Sequence, residues 1–310
     1  AGLLVALILA VGFARMYDQD HWPSDVAAGY LLAAIWILLL IPAFTYYQRI
    51  SWRTSPKQAP EADIHDCESC RIEGSIASTV VLDPDRGTAT KMYAPPRIVR
   101  LLYWLAFQAK FPYEHNRAAL DTAIYRRKIA SALTKHTFGK DLVAHVRAVD
   151  CQLAACNFIT EYIPGELSEN DEATREFLGQ VVEVFAKAGL SVWQVNPRNP
   201  HAHTNLIRNP EGFLVIIDLE SAVVTPIPGP GQWRSALRRG SLPIFDDIDF
   251  EQLRRYISTN ETALEASLGV SGLTWFKEDV ENGELAIHAW QDSEPRIWGR
   301  LIRGVYRVFD

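Results

Sequence analysis

Three residues whose side chains can handle phosphate stand close together near the start of the chain. Arg15, His21 and Asp25 lie just before a long uncharged apolar segment. An arginine presents a planar fork that binds phosphate oxygens. A neutral histidine can attack phosphorus, and a nearby aspartate can fix its tautomer and stabilise the cation that forms. The three side chains therefore predict phosphate chemistry at the mouth of a membrane span.

The surrounding string, residues 14–29, resembles the last signature motif of the type 2 phosphatidic acid phosphatases, a membrane family of lipid phosphatases and phosphotransferases. The resemblance covers about the first 45 residues. It implies that His21 is the nucleophile, that Asp25 orients it and that Arg15 binds phosphate. It also implies two upstream motifs that complete the pocket. Neither occurs in this sequence, so we expect a fragment of a longer protein.

The apolar segment predicts the membrane topology. Residues 26–47 carry no charge, and a bilayer-spanning helix takes about 20 residues. Residues 1–14 are apolar but shorter, and we interpret them as half of another span. The basic residues that follow the segment are Arg49, Arg53 and Lys57. The span predicts an integral membrane protein of the bacterial inner membrane. Lys and Arg residues beside a span are retained on the cytoplasmic side, and this sets its orientation. Its His21 loop faces outward and its C-terminal part is cytoplasmic.

Composition excludes one class of partner. The 310-residue chain has a formal net charge of -6 and is 48% hydrophobic. Such a chain can build a core, and its bulk charge argues against nucleic-acid binding. We expect membrane lipids or lipid phosphates, and a nucleotide, as its partners.

The four cysteines do not make a complete zinc-binding pattern. Cys67 and Cys70 have the spacing of half a zinc site or of a redox pair. Cys151 and Cys156 are spaced differently and lie in a strand-like run. We therefore expect reduced structural cysteines in a cytosolic domain.

Beyond the linker, the pattern alternates between strands and helices. Strands are predicted over residues 75–82, 88–93, 158–165 and 213–220, and helices over residues 97–110, 116–136 and 171–188. The helix over residues 97–110 is amphipathic, and it either lies at the membrane surface or packs against its own domain. In the next helix, the charge cluster of Arg126, Arg127 and Lys128 predicts a solvated face.

The most informative unit joins a polar loop to a strand. The loop ends at Asn205, and the following apolar strand leads to Asp218. A hairpin between them brings an amide and a carboxylate together. Such a pair can bind Mg²⁺ and its phosphate ligands.

This order of elements resembles the protein-kinase-like superfamily over roughly residues 72–260, particularly its lipopolysaccharide and small-molecule kinase branches. The resemblance implies ATP and Mg²⁺ as cofactors. It implies that Lys91 contacts phosphate and that Asn205 and Asp218 hold the metal. It also implies that Glu161 and Tyr162 form the hinge that binds adenine through backbone hydrogen bonds.

The resemblance further implies a carboxylate partner for Lys91 and a structural aspartate. Glu114 and Asp121 are the candidates for the carboxylate. Residues 246–250, which open a later helix, resemble the region of the structural aspartate. The fold class that follows is multi-domain, with an N-terminal transmembrane helical segment and an α+β two-lobed kinase-like domain. The predicted boundaries are residues 1–47 for the membrane tail, 48–71 for the linker, 72–263 for the kinase-like domain and 264–310 for a C-terminal helical extension.

The catalytic loop departs from the kinase pattern. The catalytic base of that family is an aspartate five residues before the metal-binding asparagine, and here Pro200 stands there. His201 or His203 can serve as the base, since histidine titrates near neutral pH. If neither does, the loop is inactive but still binds nucleotide. A third interpretation makes these histidines and Asp218 a metal cluster.

Three functions follow from these patterns. The first is a membrane-anchored phosphotransferase that uses ATP and Mg²⁺. The second is a pseudokinase that regulates an attached lipid phosphatase. The third is a lipid phosphatase whose cytosolic domain is a non-catalytic scaffold.

Overall fold

The computed structural model describes Leu31 and residues 70–74, 78–97, 100, 111–114, 116–152, 155–220 and 248–293. The chain divides into two compact units, Ala1–Lys57 and Gln58–Asp310. Arg15, His21 and Asp25 lie outside the described residues, and so do the predicted spans apart from Leu31. None of the helices in the described ranges combines the length and the apolar character that crossing a bilayer requires.

A five-stranded antiparallel sheet opens the second unit. Its strands are β1 (Arg71–Gly74), β2 (Ser78–Asp83), β3 (Thr88–Tyr93), β4 (Val146–Gln152) and β5 (Ala155–Glu161). Their spatial order is β1-β2-β3-β5-β4. Lys91 on β3 lies directly opposite Phe158 on β5. The predicted strand over residues 88–93 is confirmed, whereas β2 begins at Ser78, after three residues that are not described.

A smaller antiparallel sheet contains β6 (Glu166–Leu167), β7 (Leu206–Arg208) and β8 (Leu214–Ile216). Gly165 allows β6 to approach β7 closely. Its φ is +136°, and a Cβ atom there would lie 2.2 Å from the carbonyl oxygen of Arg208. β8 is shorter than the predicted strand, because the residues after Ile216 leave the sheet and form the candidate site.

Two long helices begin at side-chain caps. Helix α1 (Arg117–Phe138) lies between β3 and β4 in the chain, and the Asn116 side chain accepts hydrogen bonds from its first turn. Helix α2 (Glu172–Ala188) follows β6 and is capped in the same way by Asp171. These caps satisfy backbone N–H groups that lack partners within the helix. Both predicted helices are confirmed.

The chain ends its described part with α3 (Phe250–Thr259) and α4 (Glu261–Ser293). Asp249 caps α3, so the predicted helix after residues 246–250 is present. Helix α4 is interrupted at Gly269, whose φ of 78° and ψ of 164° are not helical. Such angles are essentially confined to glycine.

One core joins the helices to the smaller sheet. It contains apolar side chains of α1, α2, α3 and β8, and from α4 it includes Leu264, Leu273, Phe276 and Val280. The helix that was predicted to form a C-terminal extension therefore packs in the same core as the rest of the unit. A second core fills the space between the five-stranded sheet and α1, with Phe158 and Leu120 fully buried.

The basic cluster on α1 is not a solvated face, contrary to the prediction. Arg126 and Arg127 are 1% and 2% exposed. Arg127 donates to the carbonyl oxygens of Ala144 and Ile217, so its charge is used inside the fold. Of the three, only Lys128 faces solvent, where it pairs with Asp279.

The expectation of reduced cysteines is wrong for those that the structure describes. Cys151 and Cys156 stand opposite each other across β4 and β5 and form a disulfide. The antiparallel register of the two strands brings their Cα atoms to 4.1 Å. Cys70 is also disulfide-bonded.

Candidate functional site

The site is centred on an ammonium group between two carboxylates. The Nζ atom of Lys91 lies 3.0 Å from Oδ2 of Asp218 and 2.9 Å from Oε1 of Glu220. Lys91 comes from the middle of β3, and both carboxylates come from the segment that follows β8. The contact thus joins the large sheet to the small one. The structure thus brings together Lys91 and Asp218, two of the predicted site residues.

Glu220 is the most enclosed member of the site. Its side chain is 4% exposed, compared with 27% for Asp218. The hydroxyl of Tyr93 donates to Oε1 of Glu220 at 2.9 Å, and the guanidinium of Arg127 lies 3.7 Å from the same oxygen. Glu220 therefore holds together a cation and a hydroxyl from β3 and a second cation from α1.

The charges in the site shift one another's pKa values. Burial lowers the pKa of Lys91, and the Glu220 carboxylate opposes that shift. Burial alone would raise the pKa of Glu220, but Lys91 and Arg127 outweigh it and hold the pKa below its ordinary value. Burial, together with the negative charge of Glu220, raises the pKa of Tyr93 well above its ordinary value. Glu220 is thus held as a carboxylate at neutral pH, and its charge favours the protonated form of Lys91.

Three buried oxygens near this ion pair lack hydrogen-bond partners among the described residues. They are Oδ1 of Asp218, Oε2 of Glu220 and Oε1 of Gln194. A buried acceptor without a partner is costly, and native structures contain few of them. Oxygen ligands of this kind are the ones that Mg²⁺ prefers. The donor set thus fits a hard cation accompanied by phosphate oxygens.

The described side chains do not form a complete metal site by themselves. In the described part of the chain, no group of three or more His, Cys, Asp or Glu side chains could hold a metal ion. The alternative in which His201, His203 and Asp218 form a metal cluster is therefore wrong. Asp218 is tied to Lys91 instead, while the histidines lie in and beside the short 3-10 helix Ala202–Asn205.

Asn205 is close to Asp218 in the way that the hairpin predicted. Its carbonyl oxygen accepts the Ile217 N–H at 3.0 Å, which continues the β7–β8 pairing by one step. Its side-chain Nδ2 donates to the carbonyl oxygen of Gln194 at 2.8 Å. The Nε2 atom of Gln194 in turn donates to the carbonyl oxygen of Glu220. Gln194 therefore links the loop of Asn205 to the segment of Asp218.

The predicted hinge has fewer available donors than expected. The N–H of Glu161 donates to the carbonyl oxygen of His145, and the N–H of Tyr162 donates to that of Gly87. Both groups are thus engaged within the protein and are not available to adenine in this conformation. Ile163 supplies the next N–H along the chain, and it makes no hydrogen bond to a described residue. Pro164 has no N–H at all.

The predicted carboxylate partners of Lys91 are wrong. Glu114 pairs with Arg100 at 2.5 Å, and Asp121 pairs with Arg117, one turn away on α1, at 2.8 Å. The structure assigns the role to Glu220. One feature of the sequence pointed to Glu220. It stands two residues after Asp218, at the end of an apolar run. Nothing in the sequence indicated that Gln194 and Arg127 belong to the same site.

The candidate bases lie in the loop before Asn205. Ser168 donates to the carbonyl oxygen of His203, and the Thr204 N–H donates to that of His201, so the backbone of the loop is fixed. Asn199, beside Pro200, uses its side chain to bind the carbonyl oxygen of Trp193 and the N–H of His201. Asn199 therefore shapes the loop, and the two histidines supply its titratable groups.

Comparison with known proteins bears on the start of the chain. Residues 1–49 match the model of the PAP2 superfamily. This match supports the phosphatase resemblance that Arg15, His21 and Asp25 carry, and it indicates a phosphatase-type function for that part. A search of curated proteins found no match.

Proposed function

We propose that the unit Gln58–Asp310 is a kinase-like, nucleotide-binding domain of a phosphotransferase that uses ATP and Mg²⁺. The observation that carries this proposal is the contact between Lys91 and Asp218. Beside that contact lies an oxygen of Asp218 that has no hydrogen-bond partner among the described residues. A lysine that contacts phosphate and an aspartate that binds metal are the two charges which phosphoryl transfer requires close together.

Each polar residue of the site has a proposed task. Lys91 would bind phosphate oxygens, and Asp218 and Asn205 would hold Mg²⁺, which neutralises phosphate charge when it is bound. The hinge would contact adenine through the Ile163 N–H rather than through Glu161 or Tyr162. This assignment follows from the hydrogen bonds that already occupy the other two donors.

Proton transfer is the step for which the site offers the fewest groups. Residues 195–204 contain no carboxylate. The proton of an acceptor hydroxyl would therefore pass to a ring nitrogen of His201 or His203. A pseudokinase that binds nucleotide without transferring phosphate is the second candidate function. Pro200, at the position of the base, favours it.

We further propose that Arg15, His21 and Asp25 belong to a lipid phosphate phosphatase that faces outward from the membrane. The match of residues 1–49 to the PAP2 superfamily supports this part. In membranes containing the protein, we expect His21→Ala to abolish release of phosphate from a lipid phosphate. Arg15→Lys should also be severe, because a point charge does not replace a bidentate fork. Full activity of His21→Ala would contradict the proposal.

The cytoplasmic location of the second unit is also a proposal. The basic residues after the apolar segment support it. The disulfide between Cys151 and Cys156 argues for the opposite side, since disulfides are uncommon in a reducing cytosol. Protease added outside spheroplasts should leave residues 60–310 intact. Digestion of that part from outside would contradict the topology and the access to ATP.

The nucleotide proposal is tested by the melting temperature of the purified chain. A ligand that binds only the folded state stabilises it, by about 2.7 kcal/mol at a hundred times its dissociation constant. ATP with Mg²⁺ should therefore raise the melting temperature of the second unit. If no nucleotide and metal shift it, the phosphotransferase and the pseudokinase both fail, and a scaffold behind a phosphatase is what remains.

A further inference from the structure

Lys91 needs an anchor that stays in place when phosphate and a cation enter the site. Asp218 and Glu220 both contact its ammonium group. Asp218 is also the proposed metal ligand, and a cation that draws its oxygens away weakens its contact with Lys91. Glu220 is held from the other side by Tyr93 and Arg127.

We propose that Glu220 is the positioning residue that fixes the Lys91 ammonium for phosphate binding, in place of a carboxylate from helix α1. This inference rests on the proposed nucleotide-binding function. Glu220 would act through Lys91, the residue proposed to contact phosphate, and would not contact the substrate itself.

Helix α1 cannot supply this carboxylate. Its sole acidic residue is Asp121, which pairs with Arg117 on the same helix. The side chain that α1 directs toward the ion pair is Arg127, a cation, and it lies 3.7 Å from the Glu220 oxygen. The charge that α1 brings to the site is therefore positive, so it attracts Glu220 and does not pair with Lys91.

The arrangement connects the lysine to the segment that carries the metal ligand. Glu220 and Asp218 are two residues apart, and the Gln194 side chain holds the backbone of Glu220 by a hydrogen bond of 3.0 Å. A displacement of this segment moves both carboxylates together. The backbone of residues 218–220 consequently positions Asp218 directly and Lys91 through its contact with Glu220.

The contact between Glu220 and Lys91 gives a readout that a purely structural role of Glu220 would not change. Glu220 reaches the ligand only through the Lys91 ammonium, which lies 2.9 Å from its Oε1 atom. In a chain that already carries Lys91→Met, Glu220→Gln should therefore cause little further loss of binding. A purely structural role would weaken binding equally in both backgrounds.

The experiment measures binding of a fluorescent ATP analogue to the detergent-solubilised full chain at neutral pH. One series contains Mg²⁺ and the other contains EDTA. Glu220→Gln should weaken binding by about tenfold or more in both series, the expected size for loss of a charged hydrogen bond. In a chain that already carries Lys91→Met, Glu220→Gln should cause little further loss. Asp218→Asn should mainly reduce the part that depends on Mg²⁺.

Two further variants keep the test decisive. Glu183→Gln removes an exposed carboxylate that pairs with Lys187 on α2, and it should bind like the wild type. Tyr93→Phe removes one hydrogen bond to Glu220 and leaves its charge, so it should weaken binding less than Glu220→Gln does. It also gives a result if Glu220→Gln does not fold.

The outcomes separate this inference from the proposed function. If the wild type binds and Glu220→Gln binds equally well, or if Glu220→Gln causes the same loss with and without Lys91→Met, the inference is overturned and the proposed function stands. If Glu220→Gln is unfolded and Tyr93→Phe binds like the wild type, the inference is overturned as well. If the wild type does not bind, the proposed function fails first.

Discussion

The ammonium of Lys91 lies 3.0 Å from the carboxylate of Asp218, although 127 positions separate the two residues in the chain. Lys91 belongs to the five-stranded sheet, and Asp218 follows the last strand of the small sheet. Their contact is therefore a product of the tertiary fold. It brings the lysine proposed to bind phosphate to the aspartate proposed to bind metal, and it is the basis of the proposed nucleotide site.

The two buried arginines of α1 should differ sharply in their contribution to stability. Arg127 makes two hydrogen bonds to carbonyl oxygens and lies beside Glu220. Removing one partner of a buried charge pair typically costs about 3–5 kcal/mol. We expect a loss of this size in the free energy of unfolding for Arg127→Met, measured by urea denaturation with tryptophan fluorescence.

Arg126 provides the matched comparison. It makes one hydrogen bond, to the carbonyl oxygen of Ser191, while its Nε and second terminal nitrogen are buried without partners in the described structure. Replacing such a group by an apolar side chain of similar length is often neutral or stabilising. Arg126→Met should therefore unfold within about 1 kcal/mol of the wild type. Equal losses for both variants would contradict this difference between the two side chains.

The ion pair between His145 and Asp141 should make stability depend on pH. The Nε2 atom of His145 lies 2.9 Å from Asp141, and this hydrogen bond raises the pKa of His145. Because the folded pKa is raised, the stabilisation is fully present below the ordinary histidine pKa of about 6.5 and is lost as pH rises through the folded value.

The measurement compares the wild type with His145→Gln. The gap between their melting temperatures should be largest near pH 5.5 and should shrink toward pH 8.5. Burial alone would raise the pKa of Asp141, but hydrogen bonds from His145 and Ser131 lower it. The aspartate therefore stays ionised over this range. A gap that does not change with pH would contradict the ion pair.

The two loop histidines distinguish a phosphotransferase from a pseudokinase. If His203 or His201 takes the proton of the acceptor, replacing both by alanine should stop ATP turnover. The rise of melting temperature on addition of ATP and Mg²⁺ should persist, since neither histidine is assigned to nucleotide binding. A wild type that shows this rise but no turnover with any acceptor would identify a pseudokinase.

The elements that the sequence predicted best are those determined by local chemistry. Helices α1 and α2 begin within two residues of their predicted starts because Asn116 and Asp171 cap them. The β3 boundaries were predicted correctly, since a turn with Gly87 at positive φ precedes the strand. The hairpin that brings Asn205 near Asp218 also depends on neighbouring residues.

The features that the sequence did not predict depend on long-range packing. Glu220 is 129 positions from Lys91, and no local pattern distinguishes it from a surface glutamate. Arg126 and Arg127 appeared solvated, because their acceptors are backbone carbonyls contributed by distant segments. The pairing of Cys151 with Cys156 requires the β4–β5 register, which the strand-like pattern alone does not define.

Equilibrium binding of ATP to Asp218→Asn, with and without Mg²⁺, tests the nucleotide site most directly. Asparagine keeps the size of the side chain and removes the charge that Lys91 and a cation would share. Asp121→Asn is the control, since Asp121 is also paired with a basic residue but lies on α1 away from the site. We predict that the wild type and Asp121→Asn bind ATP more tightly when Mg²⁺ is present, and that Asp218→Asn loses most of this gain. An unchanged Mg²⁺ dependence in Asp218→Asn would contradict the proposed site.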